Sequence, residues 1–421
     1  MSAGTAASDR RGASLAEPDP AAYEEHRRLR FLLLASTVVA VAYVAGVFIV
    51  GAQLPDLDVY RMGGRALLDG TPLYEQVGPY GLQFTYPPVA AVLMVPLAFA
   101  PEAVAYAVWT GLSVLALAAI IERSARRVPL HSVVLFAVVV GLACATFDPV
   151  RRTLMLGQIN LILCAVILLD IGRRDGRWRG VGVGVAAGIK LTPVLFIVFL
   201  LITRQWAAAR NALLGFGATV LAGFALLPRT SWTYWSEIAG DADRIGPTFR
   251  FSNQSINGMV HRSDVVPDAW TAPVWLVLSS VVAVLILVLA RRWWEQGRAV
   301  TAIAAVGVAT TLASPFSWTH HWVWALPLGL SLISSTANRL RGDLLVAGFL
   351  LVFMVRVLWW PPHHHGAESG WGLASSIFGN AWIIASLVFL ALIAVDTRGR
   401  GRQRSSVPLG VKGDHARITG T

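Results

Sequence analysis

Residues 31–51, FLLLASTVVAVAYVAGVFIVG, carry no charge at all. At about 1.5 Å of rise per residue such a run spans the roughly 30 Å hydrocarbon layer of a bilayer. Similar apolar runs lie near 104–121, 130–147, 158–171, 209–227, 272–290, 298–313, 322–336, 342–359 and 377–395. Backbone polar groups in lipid must be satisfied within the chain, and uninterrupted runs of this kind satisfy them as helices. The chain is 55% hydrophobic and 14% charged, with mean hydropathy +0.60, which excludes a soluble globule. The expected fold class is an all-α polytopic membrane protein of about ten to twelve transmembrane helices.

The count depends on two segments. Residues 87–100 (PPVAAVLMVPLAFA) are bounded by prolines, and 181–203 is interrupted by Gly, Lys and Pro. Each crosses fully or turns back halfway, because broken backbone is tolerated in a membrane only inside protein or beside a water-filled cavity. If both turn back, there are about ten spans, and IERSARR, RRDGRWR, RRWWEQGR, NRLRGD and TRGRGRQR all lie inside, as the positive-inside rule prefers. If both cross, the first two of these move outside. Either way the loops 52–86, 228–271, 314–321 and 361–376 face outward. Residues 1–30 read as a cytoplasmic tail before an uncleaved anchor, 31–396 as the membrane domain and 397–421 as a disordered basic tail against an anionic leaflet.

The formal charge of +11 does not indicate nucleic acid, because the arginines sit in short clusters between apolar runs. Cys144 and Cys164 both fall within such runs and read as small core residues. Lysine occurs only at 190 and 412 among 35 basic residues, so a lysine is an unusual choice here.

Chemistry concentrates in the outward loops. The stretch LPDLDVYRMGGRALLDGTPLYE at 54–75 places Asp56 and Asp58 beside Tyr60, Arg61 and two glycines. Carboxylates at a membrane surface serve as a general base, as cation ligands or simply as solvated loop acids. Lys190, inside an apolar run, costs about 3 kcal/mol to insert, so it faces a cavity or a partner, or snorkels to the interface. Pro193 breaks the helix after it and can turn backbone amides toward the same anion. His320 and His321, in SPFSWTHHWVW, either sit in an aromatic belt or reach a phosphate or sugar hydroxyl while Trp318, Trp322 or Trp324 stacks on the sugar. Arg250, Asn253 and Asn257 suit sugar hydroxyls and phosphate, or are loop surface. Gln158 and Asn160 suit interhelical hydrogen bonds. His363, His364 and His365 sit in a Gly-bearing loop without a cysteine, a poor arrangement for one metal ion.

The motifs DLDVYRMGGRALLDGTPLY, FTYPP, LGQIN at 156–160 and GIKLTP at 188–193, in this order, resemble glycosyltransferase family 87 over about residues 30–395. The resemblance implies a type C membrane glycosyltransferase fold. It also implies inverting transfer of mannose from polyprenyl-phosphate-mannose on the outer face of the plasma membrane. The acceptor would be a mannosylated phosphatidylinositol or a related lipoglycan, and the linkage α-1,2. In such enzymes an acid of the first outer loop is the base; here Asp56 and Asp58 both match, with a slight preference for Asp58. Tyr60, Arg61, Lys190, Arg250, Asn253, Asn257, Trp318, His320 and His321 are the expected substrate contacts. No metal or other cofactor is expected, since lysine and arginine can manage a departing phosphate. An arabinosyltransferase using a polyprenyl-phosphate pentose, or a flippase of polyprenyl-linked sugars, is the alternative. A flippase would need polar residues through both leaflets, whereas here they gather on one side.

Overall fold

The computed structural model describes residues 20–125, 133–173, 175–241, 244–263, 265–333, 339–363, 368 and 371–405. Most of the two terminal tails, and His364 and His365, lie outside them. The described chain is helical, and besides helices it holds two isolated β-bridges, Val77 with Gln83 and Asn253 with Trp318.

The helices are α1 (Pro20–Ile49), α2 (Pro55–Leu68), α3 (Pro88–Phe99), α4 (Glu102–Ser124), α5 (Val133–Thr146), α6 (Asp148–Leu156), α7 (Asn160–Ile171), α8 (Val181–Ile189) and α9 (Val194–Ile202). They continue as α10 (Trp206–Leu226), α11 (Pro228–Thr233), α12 (Ile256–His261), α13 (Asp268–Glu295), α14 (Ala299–Ala313), α15 (Ala325–Leu332), α16 (Arg339–Val355), α17 (Leu373–Gly379) and α18 (Ala381–Ser405). Among the described residues four helices are long and apolar enough to cross a membrane, and up to six if two bent pairs are each one span. The bends are 76° between α5 and α6 and 71° between α17 and α18. Four further apolar helices are shorter. The protein is a multi-pass membrane protein.

Burial divides the bundle. α14 is buried on every side from Thr301 to Leu312, and its small residues allow this: a Cβ on Gly307 would lie 2.0 Å from the indole of Trp324. A helix apolar all round and buried all round is the centre of its bundle. α13 packs on α14 but exposes Leu276, Val277, Val281, Val284, Leu285 and Val288, the surface expected of a helix against lipid.

Of the two ambiguous segments, the first is a single short helix, α3, laid along α2, and the second turns back on itself. Arg61 of α2 donates to Leu97 O at 3.2 Å and Ala100 O at 3.1 Å, while Tyr60 meets Tyr86 just before α3, so both ends of α3 lie against α2. In the second segment α8 and α9 form a hairpin broken at Lys190, whose backbone is extended. At the far end Arg179, before α8, hydrogen-bonds Gln205, after α9. α8 runs parallel to α10 on a glycine stripe: a Cβ on Gly180, Gly184 or Gly188 would strike Ala208 O, Ala212 O or Thr219 Oγ1 at 2.0, 2.2 and 1.9 Å. Small residues four apart let two helix backbones approach in a membrane.

The bundle therefore has two unlike ends. Arg123, Gly172, Arg179, Gln205 and Trp294 meet at one, through hydrogen bonds of Arg123 to Gly172 O and Arg179 to Gln205 and a contact of the Arg179 guanidinium with the Trp294 ring at 5.4 Å. At the other the loops 52–86, 228–271 and 314–321 converge.

Candidate functional site

The converging loops enclose a cavity of about 490 Å³. Its wall includes Asp56 and Tyr60 of α2, Tyr86, Arg152 and Gln158 from around α6, Lys190 at the hairpin tip, Arg244 and Arg250 of the long loop, and Trp318, His320 and His321.

The stretch 54–75, read from sequence as an outward loop, begins as helix α2 with Pro55 in its first turn. Residues two apart on a helix are about 200° apart around it, so Asp56 and Asp58 cannot face one site. Asp56 lines the cavity. Asp58 turns to α4, where its Oδ2 accepts a hydrogen bond from Tyr106 Oη at 2.8 Å and its Oδ1 lies 3.9 Å from Arg61 Nη1. Burial pushes the Asp56 carboxyl up to about 6, against the opposing pull of a Gln158 hydrogen bond and the Lys190 charge. The two glycines of the motif make room: a Cβ at Gly63 would lie 2.7 Å from the Phe84 ring, and one at Gly64 2.8 Å from Met94 O.

Around Asp56 the polar groups form one network. Tyr60 Oη donates to Gln158 Oε1 at 2.9 Å and lies 3.0 Å from Tyr86 Oη. Gln158 reaches the cavity because Gly157 ends α6 in the left-handed region, φ +69, close against Leu54 and Leu57. Lys190 Nζ donates to Asn160 Oδ1 at 2.9 Å and to His321 Nε2 at 3.1 Å. An ammonium only donates, so His321 is neutral with its proton on Nδ1. Asn160 Nδ2 in turn donates to His320 O at 2.9 Å, fixing both histidines relative to the lysine. The LGQIN and GIKLTP motifs thus meet as one unit, with Gln158 under the carboxylate and Asn160 holding the cation.

Of the expected site residues, Asp56, Tyr60, Lys190, Arg250, Trp318, His320 and His321 line the cavity. Arg61 joins α2 to the end of α3 and to Glu102. Asn253 is fully buried and pins the loop: its Oδ1 accepts from Ser317 N at 2.9 Å, and its Nδ2 donates to Thr248 O at 3.0 Å. Asn257 Nδ2 donates to Pro315 O at 3.2 Å. Arg262, absent from the sequence reading, is the hub of this loop. Its Nη1 donates to Arg250 O and Asn253 O, each at 2.9 Å, and Nη2 bonds Asn380 Oδ1. Tyr86, Gln158, Arg152, Arg244 and Trp359 are further wall residues. The sequence signal for Arg152 was a pair of arginines inside DPVRRTLML, directly before the LGQIN motif. Among the described residues no group of three or more His, Cys, Asp or Glu side chains converges as metal ligands. His363 Nδ1 lies 2.8 Å from Pro361 O, within its own loop.

A helical membrane bundle whose cavity sets the carboxylates of Asp56 and Asp241 among several cations has the make-up of an integral membrane group-transfer enzyme. Residues 84–315 match the glycosyltransferase family 87 description, and the chain belongs to that family; it is a glycosyltransferase. It is 32% identical over 371 residues to the polyprenol-phosphate-mannose-dependent alpha-(1-2)-phosphatidylinositol mannoside mannosyltransferase of Mycobacterium tuberculosis, covering 82% of this chain and 85% of that one. It is 33% identical over 397 residues to the corresponding phosphatidylinositol pentamannoside mannosyltransferase of Mycolicibacterium smegmatis, covering 91% and 95%. No solved structure matches it.

Proposed function

We propose that the protein is an inverting mannosyltransferase with a type C fold of about ten spans, carrying mannose from polyprenyl-phosphate-mannose to a phosphatidylinositol mannoside in α-1,2 linkage. The observation that carries this reading is the position of Asp56, the cavity carboxylate that feels the charge of Lys190, beside the unit of Lys190, Asn160 and His321. A phosphate-linked sugar already holds its leaving group. The enzyme has to take a proton from the acceptor hydroxyl and stabilise the departing phosphate. The acceptor oxygen attacks the anomeric carbon, the carbon–oxygen bond to phosphate breaks with its electron pair, and the hydroxyl proton passes to Asp56. One displacement inverts the configuration and needs no second carboxylate as nucleophile. Lys190 receives the phosphate, and Trp318 offers a face to a sugar.

The arginines at the end of the bundle away from the cavity support an outward-facing site, since positive loops stay in the cytoplasm. The two relatives above differ in the length of acceptor their names specify, and the identities of 32% and 33% do not choose between them. The test is transfer by the purified protein from polyprenyl-phosphate-mannose to a panel of phosphatidylinositol mannosides, with products resolved by linkage. A new α-1,2-mannosyl product is expected. Transfer from a nucleotide sugar, or none to any member of the panel, would sink the reading.

A further inference from the structure

Beside the cavity, three arginines surround one carboxylate. Asp148, fully buried at the start of α6, accepts from Arg151 Nη2 on Oδ1 at 2.8 Å, with Arg356 Nε 3.7 Å from the same oxygen. Its Oδ2 takes the indole N–H of Trp359 at 3.3 Å. One negative charge therefore balances only part of the charge of Arg151, Arg152 and Arg356. Arg152 stands apart from these bonds. Its guanidinium lies over the Trp359 ring, 4.3 Å from the centroid, and its Nε is buried without a hydrogen-bond partner among the described residues. Both Arg152 and Trp359 line the cavity, as does His320, whose Nε2 is likewise buried without a partner.

We propose that Arg152, held on the face of Trp359, is a phosphate-binding residue of the donor site that works with Lys190 on the leaving group. The proposal rests on the lipid-phosphate donor proposed above. A sugar phosphodiester carries one negative charge; once the bond to the anomeric carbon has broken, the departing monoester carries up to two. A half-buried cation that shares one carboxylate with two other arginines, and is already fixed in orientation on an aromatic ring, gains from that added charge. Arginine suits the task, because its planar fork stacks on an aromatic face and still presents N–H donors to phosphate oxygens. Asp148 is the anchor of the arrangement: by accepting the indole N–H it fixes the ring on which Arg152 lies. Trp359 and Asp148 are thus positioning residues, and Arg152 is the one that touches phosphate.

The experiment compares Arg152→Gln, Arg152→Lys and Trp359→Leu with the parent. It measures kcat, KM for donor and acceptor, and inhibition by a short-chain polyprenyl monophosphate, all in protein shown folded by thermal unfolding. Arg152→Gln is expected to lower kcat about 10²-fold, the order for losing one donor to a developing anion. It should weaken inhibition by the monophosphate more than it raises donor KM, and leave acceptor KM unchanged. Arg152→Lys should restore part of both losses, and Trp359→Leu should give an intermediate loss. Unchanged inhibition by the monophosphate overturns the proposal, and so does a rise confined to acceptor KM. If Arg152→Gln does not fold, Arg152→Lys and Trp359→Leu decide by the same two readouts. A parent that cannot use a lipid-phosphate donor fails the earlier reading; a parent that does, with variants indifferent to the monophosphate, fails this one alone.

Discussion

Asp56 and Asp58 stand two residues apart on α2 and serve different neighbours: Asp56 faces the cavity, while Asp58 is tied to Tyr106 on α4 at 2.8 Å. Asp56→Asn is therefore expected to lose turnover by about 10²–10⁴-fold, the usual contribution of a general base, with donor binding retained. Asp58→Asn keeps a group that can accept from Tyr106 and should retain most activity. A larger loss in Asp58→Asn than in Asp56→Asn would reverse the assignment.

The carboxyl of Asp56, pushed up to about 6, also fixes a pH dependence. The base works ionised, so kcat/KM should fall as pH drops through about 6. Stability runs the other way. With the folded value above the unfolded one, the folded state binds the proton more tightly, so stability falls as pH rises from about 4 toward 6. Thermal unfolding between those limits should show this slope in the parent and a flatter one in Asp56→Asn. Equal slopes would show that the group is unperturbed.

Lys190→Gln should raise donor KM and leave the fold intact, since an amide in a polar cavity costs little. Asn160→Ala should produce a milder form of the same defect, because it frees both the ammonium and the carbonyl of His320. Steady-state kinetics at limiting donor checks both. Parental kinetics in Lys190→Gln would make the lysine structural.

The orientation is open to direct labelling once Cys144 and Cys164, both buried, have been replaced. A cysteine at exposed Thr71 should react with an impermeant thiol reagent in intact cells, and one at exposed Gln296, beyond the opposite end of α13, only after the membrane is opened. The reverse pattern would turn the cavity inward and remove the case for a lipid-linked donor.

Gly188→Val should be among the most damaging changes outside the cavity. Even a Cβ at this position would lie 1.9 Å from Thr219 Oγ1, so α8 must move off α10 and carry Lys190 with it. Overpacking of this kind costs about 1–3 kcal/mol, visible as a lower unfolding temperature together with weaker donor use.

The sequence announced the bundle through its apolar runs and most of the cavity wall through its motifs, because lipid burial and the rarity of lysine leave plain marks. Three things stayed hidden for physical reasons. Asp56 and Asp58 could not be separated while 54–75 read as a loop, since only a helix turns such neighbours apart. Asn253 and Asn257 looked like sugar contacts; a long irregular loop needs side-chain amides to satisfy backbone groups that no helix satisfies, and Ser317 N and Pro315 O claim them. Arg152 was absent from the expected site residues, because its distinction is the ring of Trp359, 207 positions later in the chain and invisible to any local pattern.

The α8–α9 hairpin ends short. Its Gly188 lies level with Thr219, and α10 continues from there to Leu226, a further seven residues or about 10 Å along its axis. The ammonium at the hairpin tip thus lies short of the end of α10, inside the cavity that the loops enclose. In the orientation proposed above, an anion reaching it would have to descend from the plane where headgroups meet water. A phosphate tethered to a long hydrocarbon chain can make that descent with its tail still in oil. A sugar carried by a soluble nucleoside would have to strip the nucleoside of water to follow, so for the proposed reaction the depth of the cavity would itself act as a filter on the donor.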